Sequence, residues 1–197
     1  MRLIFKLSIG LILATSLSSC GYNTMVELDQ GVQESWADVQ SQYQRRNDLI
    51  QNLVATVKEY ADFEQETLTK VIEARSKATS VNLNADELTP ETLAKFQKAQ
   101  GQLSGALSRL MVVVERYPDL KANQNFLQLQ AQLEGTENRI NRARDLFNDA
   151  TRAYNTYTNK FPQLLFAGMF GFDDKPYYEA EEGADKAPDV GDMFKDE

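Results

Sequence analysis

Gln44-Arg45-Arg46-Asn47-Asp48-Leu49-Ile50-Gln51-Asn52-Leu53-Val54-Ala55-Thr56-Val57-Lys58-Glu59-Tyr60 is the stretch that decides the fold. Ile50, Leu53, Val57 and Tyr60 step by three and four, the period of one face of a helix. The same face continues upstream through Val32, Trp36, Val39 and Tyr43, and downstream through Val71, Ala74 and Ala78. Neither Pro nor Gly occurs between Val32 and Thr89, so the stretch predicts one very long helix. A helix of about 50 residues would reach about 75 Å, too long for one compact bundle. Such a helix either kinks or leaves its N-terminal part standing as a stalk. Arg46, Glu64 and Thr67 fall where the stripe asks for an apolar side chain. Arg46 and Glu64 would lie about 27 Å apart along the axis, so they cannot pair.

The rest of the chain reads as helices built to pack on the first. Ser80–Leu88 is a polar connection, after which Thr89-Pro90-Glu91 supplies an N-cap, a proline at the first helical position and an early acid. The seam of this second helix is Leu93, Phe96, Gln100, Leu103, Leu107, Leu110, Val114 and Tyr117, and Pro118 stops it. A third helix runs to Phe161 with Phe126, Leu133, Ile140, Phe147, Tyr154 and Phe161 seven apart, beside a line of mostly smaller residues that includes Thr136, Ala143 and Ala150. Pro162 ends it. The expected class is all-α, an antiparallel up-and-down helical bundle of three long helices plus a short C-terminal element. Gln163–Phe172 (QLLFAGMFGF) is apolar and too short to span a bilayer. It reads as a cap over the bundle end, with membrane or partner contact as the lesser reading. From Ala180 the sequence is acidic with few bulky residues, the composition of a disordered tail.

The N-terminus reads as an address. Arg2 and Lys6 precede a short apolar run, Leu7–Leu17, and then Leu17-Ser18-Ser19-Cys20. This is the layout of a secretory signal, and the cysteine directly after small residues gives it the look of a bacterial lipoprotein signal. Cleavage before Cys20 would leave a lipid-bearing cysteine as the first residue. The competing reading is an uncleaved anchor, for which the run is short of the roughly 20 residues a spanning helix needs. Gly21 after the cysteine leans towards the outer membrane.

Composition excludes several function classes. The 197 residues contain no histidine and one cysteine. That removes the commonest general base, the commonest metal ligand, any intramolecular disulfide and any thiolate cluster. A net charge of −8 argues against nucleic acid, whose phosphates require Lys and Arg. Removal of Arg2 and Lys6 with the signal would make the chain more acidic still. No phosphate loop, nucleophile–base pair or metal-ligand spacing is present. No cofactor is expected beyond the covalent lipid on Cys20.

Several ordered stretches resemble the LemA family. They are Tyr22-Asn23, Gln44-Arg45-Arg46-x-Asp48-Leu49-Ile50-x-Asn52-Leu53-Val54, Val57-Lys58-x-Tyr60-Ala61, Glu73-Ala74-Arg75, Gly105-Ala106-Leu107-x-Arg109-Leu110, Glu115–Asn123 (ERYPDLKAN), Glu137-Asn138-Arg139-Ile140, Tyr154-Asn155, Phe161-Pro162 and Gly171-Phe172. The resemblance covers about Tyr22 to Tyr178. It implies an envelope-anchored bacterial helical bundle of four-helix type and brings no established activity. Gln51 stands where the family usually has proline, Phe63 replaces a usual histidine and Phe147 a usual tyrosine. A cleavable lipoprotein signal also differs from the family's commoner uncleaved transmembrane anchor. The chain therefore divides into a signal peptide (1–19), a tether (20–27), a LemA-like bundle (28–178) and a disordered acidic tail (179–197).

The residues singled out are polar. Arg45, Arg46 and Asp48 read as intramolecular ion pairs between helices, for example with Glu115 or Asp145, or as a recognition patch whose Arg forks bind a partner carboxylate. Because Arg46 lies on the seam, its charge must be paired or led out to solvent. Asn141, Asn148 and Asn155 stand seven apart, beside a second row of Asn138, Asp145, Arg152 and Asn159. Interhelical amide hydrogen bonds are the expected use. Asn52 and Arg139 join the set as signature polar residues. The leading reading is a non-catalytic envelope lipoprotein, anchored in the cell or outer membrane with its bundle on the extracytoplasmic side, that acts as scaffold or adaptor for another envelope protein. It would bind no nucleic acid and no small-molecule substrate. The alternatives are a structural protein that self-assembles through its seams as a homo-oligomer, and a carboxylate-based hydrolase.

Overall fold

The stripe through Val32, Trp36, Val39, Tyr43, Ile50, Leu53 and Val57 is buried throughout, on a single helix α1 (Arg2–Lys58). A computed structural model describes residues 2–60 and 63–179, with side chains from Gly21 onward. It is all-helical among the described residues. α1 is followed by α2 (Gln65–Ser80), a short 3₁₀ turn (Ala85–Glu87), α3 (Pro90–Val114), a one-turn α4 (Pro118–Lys121), α5 (Gln124–Thr158) and α6 (Gln163–Phe170). The disorder expected of the acidic tail falls, from Ala180, outside the described residues.

The single long first helix is corrected to two. α1 passes straight through Gln51, the position of the family's proline, and ends at Lys58. Glu59, Tyr60 and Phe63 donate backbone hydrogen bonds to carbonyls three residues back, the tightening of a helix end. Glu64 then starts α2 with extended φ and ψ of −60° and 106°. Nothing in local propensity demands this break, since neither Pro nor Gly is present. Packing at the bundle end imposes it. Phe63 is buried with its ring 4.9 Å from that of Tyr117, and Glu64 accepts a 2.6 Å ion pair from Arg116. Glu64 and Thr67 miss the apolar stripe because the stripe has ended there.

Contacts fix the directions of the helices. Along α1 and α5 the pairs are Tyr60 with Asn123 at the start of α5, Arg46 with Glu137, and Tyr43 with Arg144. Trp36 follows with Phe147, their ring centroids 5.3 Å apart, so the two helices run antiparallel. α2 and α3 are likewise antiparallel, through Glu64 with Arg116 and Ala78 with Gln100. Thr89 caps α3 by accepting from the Thr92 amide, with Pro90 at the first helical position, as its sequence predicts. Gly21–Glu27, read as a tether, belongs to α1, and Met25 within it is fully buried. Gly31, which stands between it and the stripe, does not interrupt the helix.

The interior divides in two. Val32, Trp36, Tyr43, Phe96, Phe147 and Tyr154 belong to one apolar cluster. Ile50, Leu53, Leu68, Leu103, Leu110 and Phe126 belong to another. Between them lies a polar layer centred on Arg46, Gln100 and Thr136, each no more than 2% exposed.

Candidate functional site

Arg46 occupies that layer because the heptad rhythm of α1 puts position 46 on the core side, between Tyr43 and Ile50. The side chain is 1% exposed, so every donor it leaves unpaired is costly. Its Nη1 donates to Ser104 Oγ and to Glu137 Oε2, both at 3.2 Å. Its Nη2 donates to Gln100 Oε1 at 2.6 Å and to the Gln100 carbonyl at 3.3 Å. The guanidinium carbon stands 5.0 Å from the centre of the Tyr43 ring, a cation–π arrangement. Nε has no hydrogen-bond partner. One arginine thus ties α1 to both α3 and α5. Its expected pairing within the fold is present, but with Glu137, not with Glu115 or Asp145. Glu115 instead pairs with Lys121 across the α3–α4 turn, and Asp145 lies exposed on α5.

Arg45, Asp48 and Asn52 are all exposed on the outer face of α1. Asp48 accepts from Gln44 at 3.0 Å, and the Asn52 carbonyl accepts from Thr56. Asn138 and Arg139 are exposed on α5, next to Glu137 and so level with Arg46. The signature residues therefore split into one buried cross-brace and a set of outward polar side chains.

The asparagine row does something the sequence reading did not foresee. Asn155 donates from Nδ2 to the Lys175 carbonyl and accepts from the Lys175 amide, both at 2.9 Å. Asn148 does the same to Tyr178, at 2.9 and 2.8 Å. Asn159 donates to Asp174 Oδ1 at 2.6 Å. The interhelical amide bonds expected of Asn148 and Asn155 are corrected: their partner is the extended segment after α6, not a neighbouring helix. Spacing explains why. Seven helical residues advance about 10.5 Å, and three extended residues about 10 Å, so Asn155 and Asn148 match Lys175 and Tyr178. Only Asn141 stays local, accepting from Arg144 at 3.4 Å. The signal was the seven-residue repeat itself; the missing information was that the chain returns along α5.

Further bonds hold this strap, residues 172–178. Lys175 pairs with Asp29 of α1 at 3.0 Å, and Tyr154 donates to the Asp173 carbonyl at 3.0 Å. The Tyr43 and Tyr178 hydroxyls lie 2.7 Å apart, and Arg144 donates to Tyr43 at 2.6 and 3.0 Å. Burial, then nearby Asp29, Asp173 and Asp174, pushes the Tyr154 hydroxyl up to about 12. Burial and the adjacent Tyr43 hydroxyl raise Tyr178 further still. Both phenols are neutral in the fold, whereas in the unfolded chain they ionise near the usual 10. Stability carried by the neutral phenols is complete below pH 10 and falls as pH rises from about 10 to about 12, because only the unfolded state releases its protons there. A circular-dichroism titration should show alkaline unfolding beginning in that window, and Tyr154→Phe should move its midpoint upward.

Two further features bear on chemistry. A cleft of about 400 Å³ opens between α1, α2 and α3, lined by Gln40, Tyr43, Gln44, Asn47, Asn82 and Gln100 among others. It holds no carboxylate, and its one buried unpaired atom is Asn47 Oδ1. Among the described residues no three His, Cys, Asp or Glu side chains are grouped to hold a metal ion, and no helix is long and apolar enough to cross a membrane.

A bundle with these signature residues defines a class. The LemA family model matches residues 35–191, and the chain belongs to the LemA family. The match continues past Tyr178 into the acidic stretch. Among characterised proteins the chain is 25% identical to magnetosome protein MamQ 2 of Paramagnetospirillum magneticum, over 94% of this chain and 74% of the relative. It is 24% identical to MamQ of Magnetospirillum gryphiswaldense, over 83% and 66% respectively. It is 26% identical to protein LemA of Metamycoplasma hominis, over 73% and 64%.

Proposed function

We propose that this protein is a membrane-anchored envelope lipoprotein whose four-helix, up-and-down bundle serves as a non-catalytic scaffold for another envelope protein. One observation carries the reading: the Leu17-Ser18-Ser19-Cys20 signal end lies on α1 itself, and the same helix continues from Gly21 into the packed bundle. A lipid on Cys20 would therefore hold the bundle against the membrane on its extracytoplasmic side. The interior polar groups support a structural role. Arg46, Gln100, Asn148 and Asn155 are engaged in holding helices or strap together, and none is poised over a cavity with a second reactive group. Relatives named for a cellular structure, the magnetosome, fit a part in assembly. The exposed line of Arg45, Asp48 and Asn52 supplies the polar face for the partner, and neither cofactor nor nucleic acid enters.

Two measurements test this. Cys20→Ser should abolish metabolic lipid labelling and leave an uncleaved precursor; normal maturation of that variant refutes the anchor. Proximity labelling around the anchored chain should recover a specific envelope protein whose yield drops with Arg45→Ala, and an unchanged profile refutes the scaffold.

A further inference from the structure

We propose that the outer face of α6 rests in the interfacial layer of a lipid bilayer, giving the bundle a second foothold beside its N-terminal anchor. The inference rests on the anchored reading above. α6 carries no charged side chain, and of its residues only Ala167 is buried. Phe161, Leu164, Leu165, Met169 and Phe170 are all more than half exposed, Phe161 at 82% and Met169 at 74%. Leu165 and Met169 stand four apart on one line of the helix, and Phe161 lies in the turn just before it. Single apolar side chains are ordinary on a surface, as Ile72, Val112, Leu127 and Leu146 are here, but a run of five within ten residues is not. A cap over the bundle end accounts for the burial of Ala167 and for the contact of Phe170 with Tyr22, and leaves Phe161, Leu164, Leu165 and Met169 largely exposed.

Position selects the occupant. Tyr22, two residues after Cys20, meets Phe170 and Phe172 edge-on, with ring centroids 5.2 and 5.6 Å apart. Two helical residues advance only about 3 Å, so a lipid on Cys20 brings α6 to the headgroup layer. At Gly171, with φ of 76°, the chain turns into the strap that returns along α5. α6 thereby sits beside α1 at Tyr22, at the end of the bundle next to Cys20. Eight residues cannot span a bilayer but suit a helix lying in the interface, where buried apolar area drives binding. With no positive charge on α6 and a net charge of −8, the contact is apolar and indifferent to anionic lipid and to salt.

The test uses the full chain in phosphatidylcholine vesicles, with tryptophan quenched by brominated acyl chains. Leu165→Trp adds a reporter on the exposed face, while native Trp36 is buried and provides a constant background. Val112→Trp, exposed near the far end of α3, is the control. The Leu165→Trp chain should lose most of its added emission, equally at low and high salt, and the Val112→Trp chain none. If the chain floats with the vesicles but position 165 is not quenched, the anchor stands and the proposal fails. Cross-linked dimers through residue 165 would then assign the face to a second copy. A chain that does not float at all overturns both readings.

Discussion

Arg46→Ala should lower the free energy of unfolding by about 3 kcal/mol, within the range for breaking a buried hydrogen-bonded charge. For a chain of this length that corresponds to a fall in Tm of about 6–12 °C. Two effects add: a void between the two apolar clusters, and loss of the donors that satisfy buried Gln100. Glu137 limits the damage, since its side chain is 43% exposed and rehydrates. Arg46→Met fills the space and should cost less, but it still leaves Gln100 Oε1 unpaired. The double variant Arg46→Leu with Gln100→Leu should recover most of the loss, because removing both polar partners can be nearly neutral where removing one is not. Thermal and urea denaturation of the three variants beside the parent check this. A double variant as unstable as Arg46→Ala would show that the layer is held by something other than this pair.

Asn148→Ala and Asn155→Ala should each cost about 2 kcal/mol, on the basis of two hydrogen bonds to partly buried backbone at about 1 kcal/mol apiece. Together they should cost less than the sum. Once one clamp is lost the strap leaves as a unit, and residues within one network do not add. Hydrogen exchange is the direct readout: the amides of Lys175 and Tyr178 should lose protection in either variant. Asn155→Asp is the discriminating substitution. A carboxylate still accepts from the Lys175 amide but faces the Lys175 carbonyl with no donor, so it should not rescue the strap. If Asn155→Asp were as stable as the parent, the amide would not be acting as a two-way clamp.

The helices were legible because their signals are periodic and local. The stripe of α1, the cap at Thr89 and the stop at Pro118 all follow from residues within a turn or two of one another. The break at Glu59–Glu64 was not, because it arises from Phe63 and Glu64 meeting Tyr117 and Arg116, more than fifty residues away. Its trace in sequence was the polarity of Glu64 and Thr67 on the stripe. Arg46 was recognisable as a charge needing a partner; which partner depended on the stagger of α1 against α5, and that stagger is a tertiary quantity. The asparagine row was visible as a repeat and misread as a helix seam, since a seven-residue period looks the same whether it faces a helix or an extended chain.

The strap also determines how the molecule bears load. It runs parallel to α1, from Lys175 beside Asp29 to Tyr178 beside Tyr43, and antiparallel to α5. A pull applied between Gly21 and Glu179 is therefore directed along the strap, and the clamps at Asn155 and Asn148 are strained together in shear. They cannot be peeled one after the other. Tension between Gly21 and Glu179 would be shared by the whole ladder before any of it yields.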